Sequence, residues 1–344
     1  MNTRSTQKIW RALAQDLLLT AVILGMYALL WITPVWLRSP EGEPRRSAFS
    51  PAASIVVGTP DPSAVRGSRV PEGGSGRTVP VTPWQVQFAG RFTPEIQKSE
   101  TAYSSPEVAI SLSTRTLEHE GRRAVYHVAD IYIASIENFG AYTANGEMRY
   151  LSVQDVMEMD TASGALLCIS GDFYSYQTGG FLVRNGETYM AEPPGGDICV
   201  LYRDGRMVNY SPGEYDPRTI LAEDPWQVWS FGPSLLDENG KARDSFEVNL
   251  GIRYPNPRSA MGYYEPGHYC FVVADGRQPG YSDGMTLEEL AGVFEELGCA
   301  SAYNLDGGGS AVMVYDHERY SRQSNGGERE LGDIVLIRER EEIR

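Results

Sequence analysis

Cysteine and histidine are scarce in this sequence of 344 residues, which contains four of each. No Cys-x-x-Cys pair and no His-Glu-x-x-His spacing occurs, so the patterns of zinc ribbons, thioredoxin-type redox sites and zinc hydrolases are missing. The cysteines are far apart in apolar contexts: Cys168, Cys199, Cys270 and Cys299. We expect buried free thiols at these positions, with one or two disulfides as the alternative in an exported domain.

Positive charge is also in short supply, with 30 Lys and Arg residues against 45 Asp and Glu and a net charge of −15. Residues 1–46 hold six basic and three acidic side chains, so the remainder of the chain carries −18. Because affinity for nucleic acid comes mainly from neutralised phosphates, this surface argues against a nucleic-acid partner. We interpret the acidity as an aid to solubility.

Long apolar segments are rare, and one run stands out: residues 17–37 are uncharged and mostly apolar. These 21 residues are enough to cross about 30 Å of hydrocarbon as a helix. Arg4, Lys8 and Arg11 precede the run and, by the positive-inside rule, keep residues 1–16 in the cytoplasm. The sequence therefore predicts a single-pass anchor in the cell membrane, with the C-terminal domain outside the cytoplasm. A cleaved signal peptide is the alternative, although no Ala-x-Ala site follows.

Residues 38–94 are rich in proline, serine and glycine, a composition typical of a flexible stalk. Residues 95–340 have the mixed composition of a folded domain, with short apolar segments separated by turn residues. The chain is thus predicted to consist of a cytoplasmic terminus, an anchor, a stalk and one sizeable domain.

Strands dominate the predicted secondary structure of this domain. Nine segments have β-branched and aromatic content: 108–112, 125–133, 165–170, 198–202, 246–252, 269–274, 301–305, 311–315 and 334–337. A short helix is predicted at 152–159, capped by Ser152, and a clearer one at 286–297, where Thr286 and Glu289 form a capping-box pattern and Gly298 supplies the end. We predict an α+β fold with a mixed β-sheet core and a few packed helices, preceded by one transmembrane helix and a flexible stalk.

The loop Asn304-Leu305-Asp306-Gly307-Gly308-Gly309-Ser310 is the most informative stretch of the chain. It follows an apolar segment, and three successive glycines fit best where φ is positive or a ligand approaches the backbone closely. Exposed amides of such a turn can bind an anion, Asp306 can act as acid, base or cation ligand, and Asn304 can bond a hydroxyl. A glycine-permitted hairpin is the structural alternative.

Several separated segments resemble the phosphodiester glycosidase family, in the family's order. They are residues 169–174, 231–236, 256–262, 273–277 and 284–291, followed by the loop at 304–310. Together they cover roughly residues 105–338, and the stretch from Asn256 to Ser310 is the most specific. The first segment departs from the family pattern, since Ser170 stands where relatives usually have asparagine, and a hydroxyl replaces an amide with both donor and acceptor.

The resemblance implies a glycosidase that hydrolyses a sugar-1-phosphodiester, such as an N-acetylglucosamine-1-phosphodiester, in an envelope polysaccharide or glycoconjugate. Such a reaction needs carboxylates at the anomeric centre and basic groups for the departing phosphate. Predicted catalytic residues are Asp172, Asp275 and Asp306. Predicted substrate-binding and phosphate-binding residues are Ser170, Gly171, Arg258, Arg277, Asn304, Gly307, Gly308, Gly309 and Ser310.

Two other functions are compatible with the sequence. One is an envelope glycan-binding or exopolysaccharide assembly protein that keeps the pocket without turnover. The other is a phosphodiesterase that cleaves P–O with a divalent cation held by the aspartates. No cofactor is required by the sequence, while a structural or catalytic calcium is left open, and the expected partners are a glycan or sugar phosphate and, through residues 17–37, the membrane.

Overall fold

The computed structural model describes residues 82–177, 179–324 and 327–340. The predicted anchor at 17–37, the cytoplasmic terminus and most of the predicted stalk lie outside the described residues. Within the described ranges, no helix combines the length and apolar character needed to cross a bilayer.

Strands make up most of the regular secondary structure of the described chain. In chain order they are β1 Gln97–Lys98, β2 Ala102–Ser104, β3 Val108–His119, β4 Arg122–Ile133, β5 Phe139–Thr143, β6 Leu167–Ser170, β7 Phe181–Arg184, β8 Glu187–Ala191, β9 Ile198–Tyr202, β10 Met207–Tyr210, β11 Pro225–Trp229, β12 Arg258–Glu265, β13 His268–Ala274, β14 Ser301–Asn304, β15 Met313–Tyr315, β16 Glu318–Arg319 and β17 Asp333–Ile337. The helices are α1 Pro83–Gln87, α2 Val156–Ser163, α3 Pro217–Ala222, α4 Leu250–Arg253 and α5 Leu287–Leu297.

These strands form three sheets. The largest has the order β1-β2-β3-β4-β13-β12-β14, the second β10-β9-β11-β7-β8 and the third β16-β15-β6-β17-β5. A sheet-rich α+β fold with few helices is confirmed. However, every strand pair in the described part is antiparallel, so three antiparallel sheets replace the predicted mixed one. Runs of apolar residues alone did not distinguish these arrangements, because strands buried on both faces occur in either.

One apolar core connects the three sheets. The ring of Phe139 in β5 lies edge-on to three rings from the other two sheets: Trp229 at 6.1 Å, Tyr269 at 5.2 Å and Phe271 at 5.7 Å between centroids. All four side chains are fully buried. Such edge-to-face pairs favour one relative orientation of the sheets, and this fixes where their strand ends meet.

The helix ends follow from their capping residues. α5 begins as predicted, with Thr286 and Glu289 in a complete capping box, and ends at Gly298 in the left-handed conformation. α2 begins later than predicted, because Asp155 rather than Ser152 accepts hydrogen bonds from the first-turn N–H groups. Ser152 instead donates its hydroxyl to the carbonyl of Ala144.

Several segments were misread from the sequence. The predicted strand at 246–252 is an irregular segment that runs into α4, and Phe246, Val248 and Ile252 lie beside a cleft. Conversely, β12 was missed, because Pro257 directly precedes it and Gly262 interrupts its apolar pattern. Eight shorter strands were also missed: β1, β2, β5, β7, β8, β10, β11 and β16.

A pair of glycines offers a test of the packing between β12 and α5. A Cβ at Gly262 would lie 2.8 Å from the sulfur atoms of Cys270 and Cys299 and from Cδ1 of Phe294, whereas nothing lies within 4 Å of a Cβ at Gly292. We expect Gly262→Ala to lower the free energy of unfolding by about 1–3 kcal/mol through overpacking. Gly292→Ala, in the exposed interior of α5, should raise it by about 0.5–1 kcal/mol. Urea denaturation of both variants measures this, and equal effects would contradict the packing described.

Candidate active site

The ends of four strands meet around a cleft of about 690 Å³. β13 and β14 both run antiparallel to β12, so their carboxyl ends flank its start at Arg258. β6 reaches the same place from the third sheet, since the hydroxyl of Ser170 donates to the carbonyl of Asp306 at 2.8 Å. β11 of the second sheet ends just before Phe231, which lines the cleft. Loops from all three sheets therefore build one site.

Asp306 is the predicted catalytic carboxylate that faces this cleft. Its side chain is 11% exposed, and its backbone N–H donates to the carbonyl of Gly171 at 3.0 Å. Burial raises the pKa of Asp306, and the guanidinium of Arg329 acts against that rise. A buried carboxyl group with a raised pKa beside a cleft is typical of acid, base or nucleophile positions.

Arg329 is a site residue that sequence reasoning missed. Its Nη2 lies 2.6 Å from both carboxylate oxygens of Asp306, and its Nε donates to the hydroxyl of Ser310 at 2.8 Å. The guanidinium also lies over the ring of Phe173, 5.2 Å from the centroid. Arg329 lies in a polar loop that does not follow an apolar segment. The strand-end pattern used to select candidate site residues therefore did not include it.

The glycine loop allows two close approaches of backbone and side chain. A Cβ at Gly307 would lie 2.7 Å from the carbonyl oxygen of Pro257, and a Cβ at Gly308 would lie 3.0 Å from Nη2 of Arg277. Gly308 has a φ of +64°, a conformation that favours glycine. Its N–H donates to the carbonyl of Pro257 at 2.8 Å, and that of Ser310 donates to Gly307. Two of the backbone N–H groups that were expected to bind an anion therefore donate to carbonyl groups of the protein itself.

Two predicted arginines lie beside this loop. Nε and Nη2 of Arg258 donate to backbone carbonyls, including Met285 at 2.8 Å and Ile252 at 2.6 Å, and burial lowers the pKa of its guanidinium to about 10. Arg258 therefore remains cationic at neutral pH. Arg277 is exposed, has a left-handed φ of +57° and is held by the side-chain oxygen of Asn256, 2.9 Å from its Nη2. A residue held in that conformation is typical of a functional position.

Asn304 lines the cleft. Its amide nitrogen donates to the carbonyls of Gly232 at 3.2 Å and Leu305 at 3.0 Å. Among the described residues, its buried Oδ1 has no hydrogen-bond partner. Such an unpaired buried acceptor is energetically costly.

Asp172 does not line the cleft, although it was predicted to be catalytic. It belongs to a buried ionic cluster in which Nη2 of Arg184 lies 3.3 Å from Asp172 and Nε lies 2.8 Å from Asp333. The N–H of Ser230 also donates to Asp172, at 2.9 Å. A Cβ at Gly171 would collide with the carboxylate of Asp333, which explains the glycine there. Ser170 and Gly171 likewise support Asp306 from behind.

Asp275 lies in a second buried network, also outside the cleft lining. Its Oδ2 is 3.0 Å from Nε2 of His127 and accepts from the hydroxyl of Tyr281 at 2.9 Å. Its Oδ1 accepts from the backbone N–H of Arg322 at 2.9 Å. Asp275 thus holds the turn that carries Arg277.

Of the twelve predicted site residues, seven line the cleft: Arg258, Arg277, Asn304, Asp306, Gly307, Gly308 and Gly309. The other five pack behind its wall: Ser170, Gly171, Asp172, Asp275 and Ser310. The two sets are joined by the hydrogen bonds described above.

A second ion pair in the cleft was also missed. Asp197 accepts from the backbone N–H of Ser234 at 2.9 Å, and Nη1 of Arg243 lies 3.3 Å from the same oxygen. The sequence did contain a signal for Asp197, because it lies between the turn Pro193–Gly196 and an apolar strand. Asp275 and Asp306 likewise lie at the ends of apolar strands.

The charge of the cleft contrasts with that of the chain. Four arginines line it, Arg243, Arg258, Arg277 and Arg329, against three acidic residues, Asp197, Glu247 and Asp306. An excess of guanidinium groups in a chain with a net charge of −15 indicates a site for an anionic ligand.

Aromatic rings form one end of the cleft. Phe173 stacks on Tyr176 at 4.7 Å between centroids and lies 5.5 Å from Phe231. A shallower hollow of about 590 Å³ continues from Phe231 along Tyr176. Tyr174 and Trp229 are neighbours of Phe173 and Phe231 in sequence, but they are buried in the core and do not contribute to this surface.

No three His, Cys, Asp or Glu side chains converge as a metal site in the part of the chain that the structure describes.

Comparisons with known proteins agree with this picture. A sequence profile of the family described as phosphodiester glycosidase matches residues 163–338, about half of the chain. The fold is similar to that of the zebrafish N-acetylglucosamine-1-phosphodiester alpha-N-acetylglucosaminidase catalytic domain, which is auto-inhibited by its pro-peptide. The TM-score is 0.54 at 18% identity, over 72% of this chain and 88% of that one.

A relative of uncharacterised function also matches. The SPbeta prophage-derived uncharacterized protein YomE of Bacillus subtilis (strain 168) is 26% identical over 162 residues, which are 46% of this chain. The match spans 25% of the length of that relative. The profile match covers the strands that deliver Asp306 and Arg258 to the cleft, and the chain belongs to the phosphodiester glycosidase family.

Proposed function

We propose that the chain hydrolyses the anomeric C–O bond of a sugar-1-phosphodiester in an envelope polysaccharide or glycoconjugate. The observation that carries this proposal is the buried carboxyl group of Asp306 at the wall of an arginine-lined cleft. Membership of the family supports the reaction class, and the zebrafish enzyme's name suggests an N-acetylglucosamine-1-phosphodiester as the type of substrate.

The phosphate would lie between Arg258 and Arg277. Both side chains line the cleft beside the glycine loop, and each guanidinium has an Nη1 that its bonds to carbonyls or to Asn256 leave for a phosphate oxygen. The backbone bonds of Arg258 fix its orientation before substrate arrives, so little side-chain entropy would be lost on binding.

Two carboxylates would act on the sugar. In the overall reaction, water adds to the anomeric carbon, the C–O bond breaks, and the phosphate monoester leaves with the bonding electron pair. Asp306 would act at the anomeric centre, where an ionised carboxylate stabilises the developing positive charge and a protonated one donates to the leaving oxygen. Asp197 is the second candidate carboxylate in the cleft. A phosphate leaving group needs less protonation than an alkoxide, so the arginines supply much of the assistance.

The aromatic end of the cleft favours a substrate larger than one sugar phosphate. Phe173 and Phe231 offer apolar faces on which sugar rings stack, and Tyr176 extends this surface into the adjoining hollow. These rings support a phosphodiester within a longer glycan.

The test of the proposed function is turnover and binding on one panel of sugar-1-phosphate diesters, with the full chain in detergent. Release of free sugar, absent when Asp306 is replaced, would support the glycosidase. Saturable binding without turnover would replace it with a glycan-binding protein, and release of sugar phosphate would replace it with a P–O phosphodiesterase.

The pH dependence of turnover should respond to Arg329. Its guanidinium lowers the pKa of Asp306 against the effect of burial, so Arg329→Gln should raise that pKa further. The limb of the pH–rate profile that belongs to Asp306 should move to higher pH, whether the group acts as base or acid. Arg253→Gln, on α4 outside the lining of this cleft, is the control. A profile that does not move would contradict the coupling of Arg329 to a catalytic Asp306.

We also propose that residues 17–37 anchor the protein in the cell membrane with residues 95–340 outside the cytoplasm. The uncharged run and the basic residues before it support this arrangement. When intact cells are treated with an external protease, the domain should be digested. In untreated cells, the protein should remain in the membrane fraction after alkaline carbonate extraction. Protection of the domain in intact cells would exclude the orientation.

A further inference from the structure

Two of the four cysteines lie side by side in the core. The sulfur atoms of Cys270 in β13 and Cys299, just after α5, are 3.6 Å apart, and the two residues are 0% and 3% exposed. All four cysteines are free thiols in the structure. Cys168 differs from this pair, since its thiol donates to the carboxylate of Asp160 at 3.8 Å.

The neighbouring strand is shaped around this pair. Gly262 in β12 lies directly opposite Cys270 in the strand register. A Cβ at this position would lie 2.8 Å from each of the two sulfur atoms. The absence of a side chain at Gly262 thus leaves the space in which the two thiols meet.

We propose that Cys270 and Cys299 are a disulfide-forming site, oxidised when the chain folds in the presence of a low-molecular-weight disulfide. Two thiols are oxidised and lose two protons and two electrons as one S–S bond forms. The small disulfide accepts them and is reduced to two thiols. The sulfur atoms must approach from 3.6 Å to about 2.05 Å, a movement shared by two side chains beside an empty glycine position.

The position of this bond gives it a consequence for the candidate active site. β13 leads into the turn that carries Arg277, and Cys299 precedes β14, which leads into Asp306. A bond between them would join the two elements that deliver a phosphate-binding group and a carboxylate to the cleft. It would also enclose α5 in a covalent loop, which restricts the unfolded chain.

Burial also determines when the bond can form. Burial raises the pKa of the Cys270 thiol well above its usual range, so the reactive thiolate is scarce in the native state. We therefore expect slow oxidation of the folded, reduced protein and rapid oxidation during refolding.

The sequence makes this proposal directly measurable. Cleavage after Lys and Arg places each cysteine in its own peptide: residues 150–184, 185–203, 259–277 and 278–319. The full chain is refolded in a buffer of oxidised and reduced glutathione, alkylated in denaturant without reductant, digested and weighed. We expect alkylation of Cys168 and Cys199 alone, with peptides 259–277 and 278–319 linked and 2 hydrogen masses lost. The melting temperature should rise by about 5–10 °C relative to the reduced protein.

Two variants keep the result interpretable. Cys168→Ser/Cys199→Ser retains only the proposed pair and should show no alkylation after oxidative refolding. Cys299→Ala should show three alkylated cysteines and no oxidation-dependent rise in melting temperature. Four alkylated cysteines in the oxidatively refolded wild type, or links that involve Cys168 or Cys199, would overturn the proposal.

Discussion

Asp306→Asn should lower the turnover of a sugar-1-phosphodiester by about 10²–10⁴-fold. The substitution keeps the shape of the side chain and removes its charge and its proton-transfer capacity. Because Ser170 and Gly171 bond the backbone of Asp306 and not its side chain, the fold should survive. Initial rates on the same substrate, with circular dichroism as a check of folding, measure the effect.

A second carboxylate in the same cleft provides the control. Glu247 lines the cleft but is exposed, so Glu247→Gln should change turnover little. If Asp306→Asn kept more than about a tenth of wild-type turnover, or if Glu247→Gln were equally damaging, Asp306 would lose its assignment.

Arg184→Met should lower the free energy of unfolding by about 3–5 kcal/mol. The guanidinium is 1% exposed and pairs with Asp172 and Asp333, neither of which reaches solvent. Removal of this guanidinium takes away the counter-charge that the described residues provide for the two buried carboxylates. Urea denaturation measures the loss, and Arg123→Met, at an exposed position, is a matched control that should change little.

The pH dependence of that loss identifies its cause. Burial raises the pKa of Asp333 to about 6, so in the wild type its contribution to stability falls as the pH rises through about 6. Without Arg184 the pKa of Asp333 should rise further, and the loss should be larger at pH 8 than at pH 5, where protonation removes the charge. Adding Asp172→Asn and Asp333→Asn to Arg184→Met should restore part of the stability. A loss independent of pH, with no restoration, would mean that packing and not charge is responsible.

The sequence pattern of an aspartate before several glycines identified a loop at the cleft. Asp306 and the three glycines after it line the cleft, because β14 ends there and Gly307 meets Pro257. Arg258 was found through the resemblance of its segment, although β12 itself was missed.

The same reasoning could not separate a carboxylate that faces the cleft from one behind it. Asp172, Asp275 and Asp306 all border apolar strands beside glycine, yet the partners that decide their roles are distant in sequence. Asp172 belongs to the ionic cluster of Arg184 and Asp333. Asp275 is hydrogen-bonded to His127 and Tyr281. Only the three-dimensional arrangement of the sheets determines these partners.

The location of Asp306 in the cleft also depends on side chains that no local pattern indicated. Arg329 reaches its carboxylate from a loop between β16 and β17. Long-range polar contacts of this kind leave no periodic signal in the sequence, since Arg329 alone resembles an ordinary surface residue.

The position of bond cleavage tests the central proposal most directly. The full chain is incubated with a sugar-1-phosphate diester in water enriched in heavy oxygen, and both products are weighed. The proposed reaction places the heavy oxygen on the anomeric carbon of the released sugar, and Asp306→Asn should abolish this incorporation. Heavy oxygen on the phosphate product would mean P–O cleavage and would contradict the glycosidase proposed for this cleft.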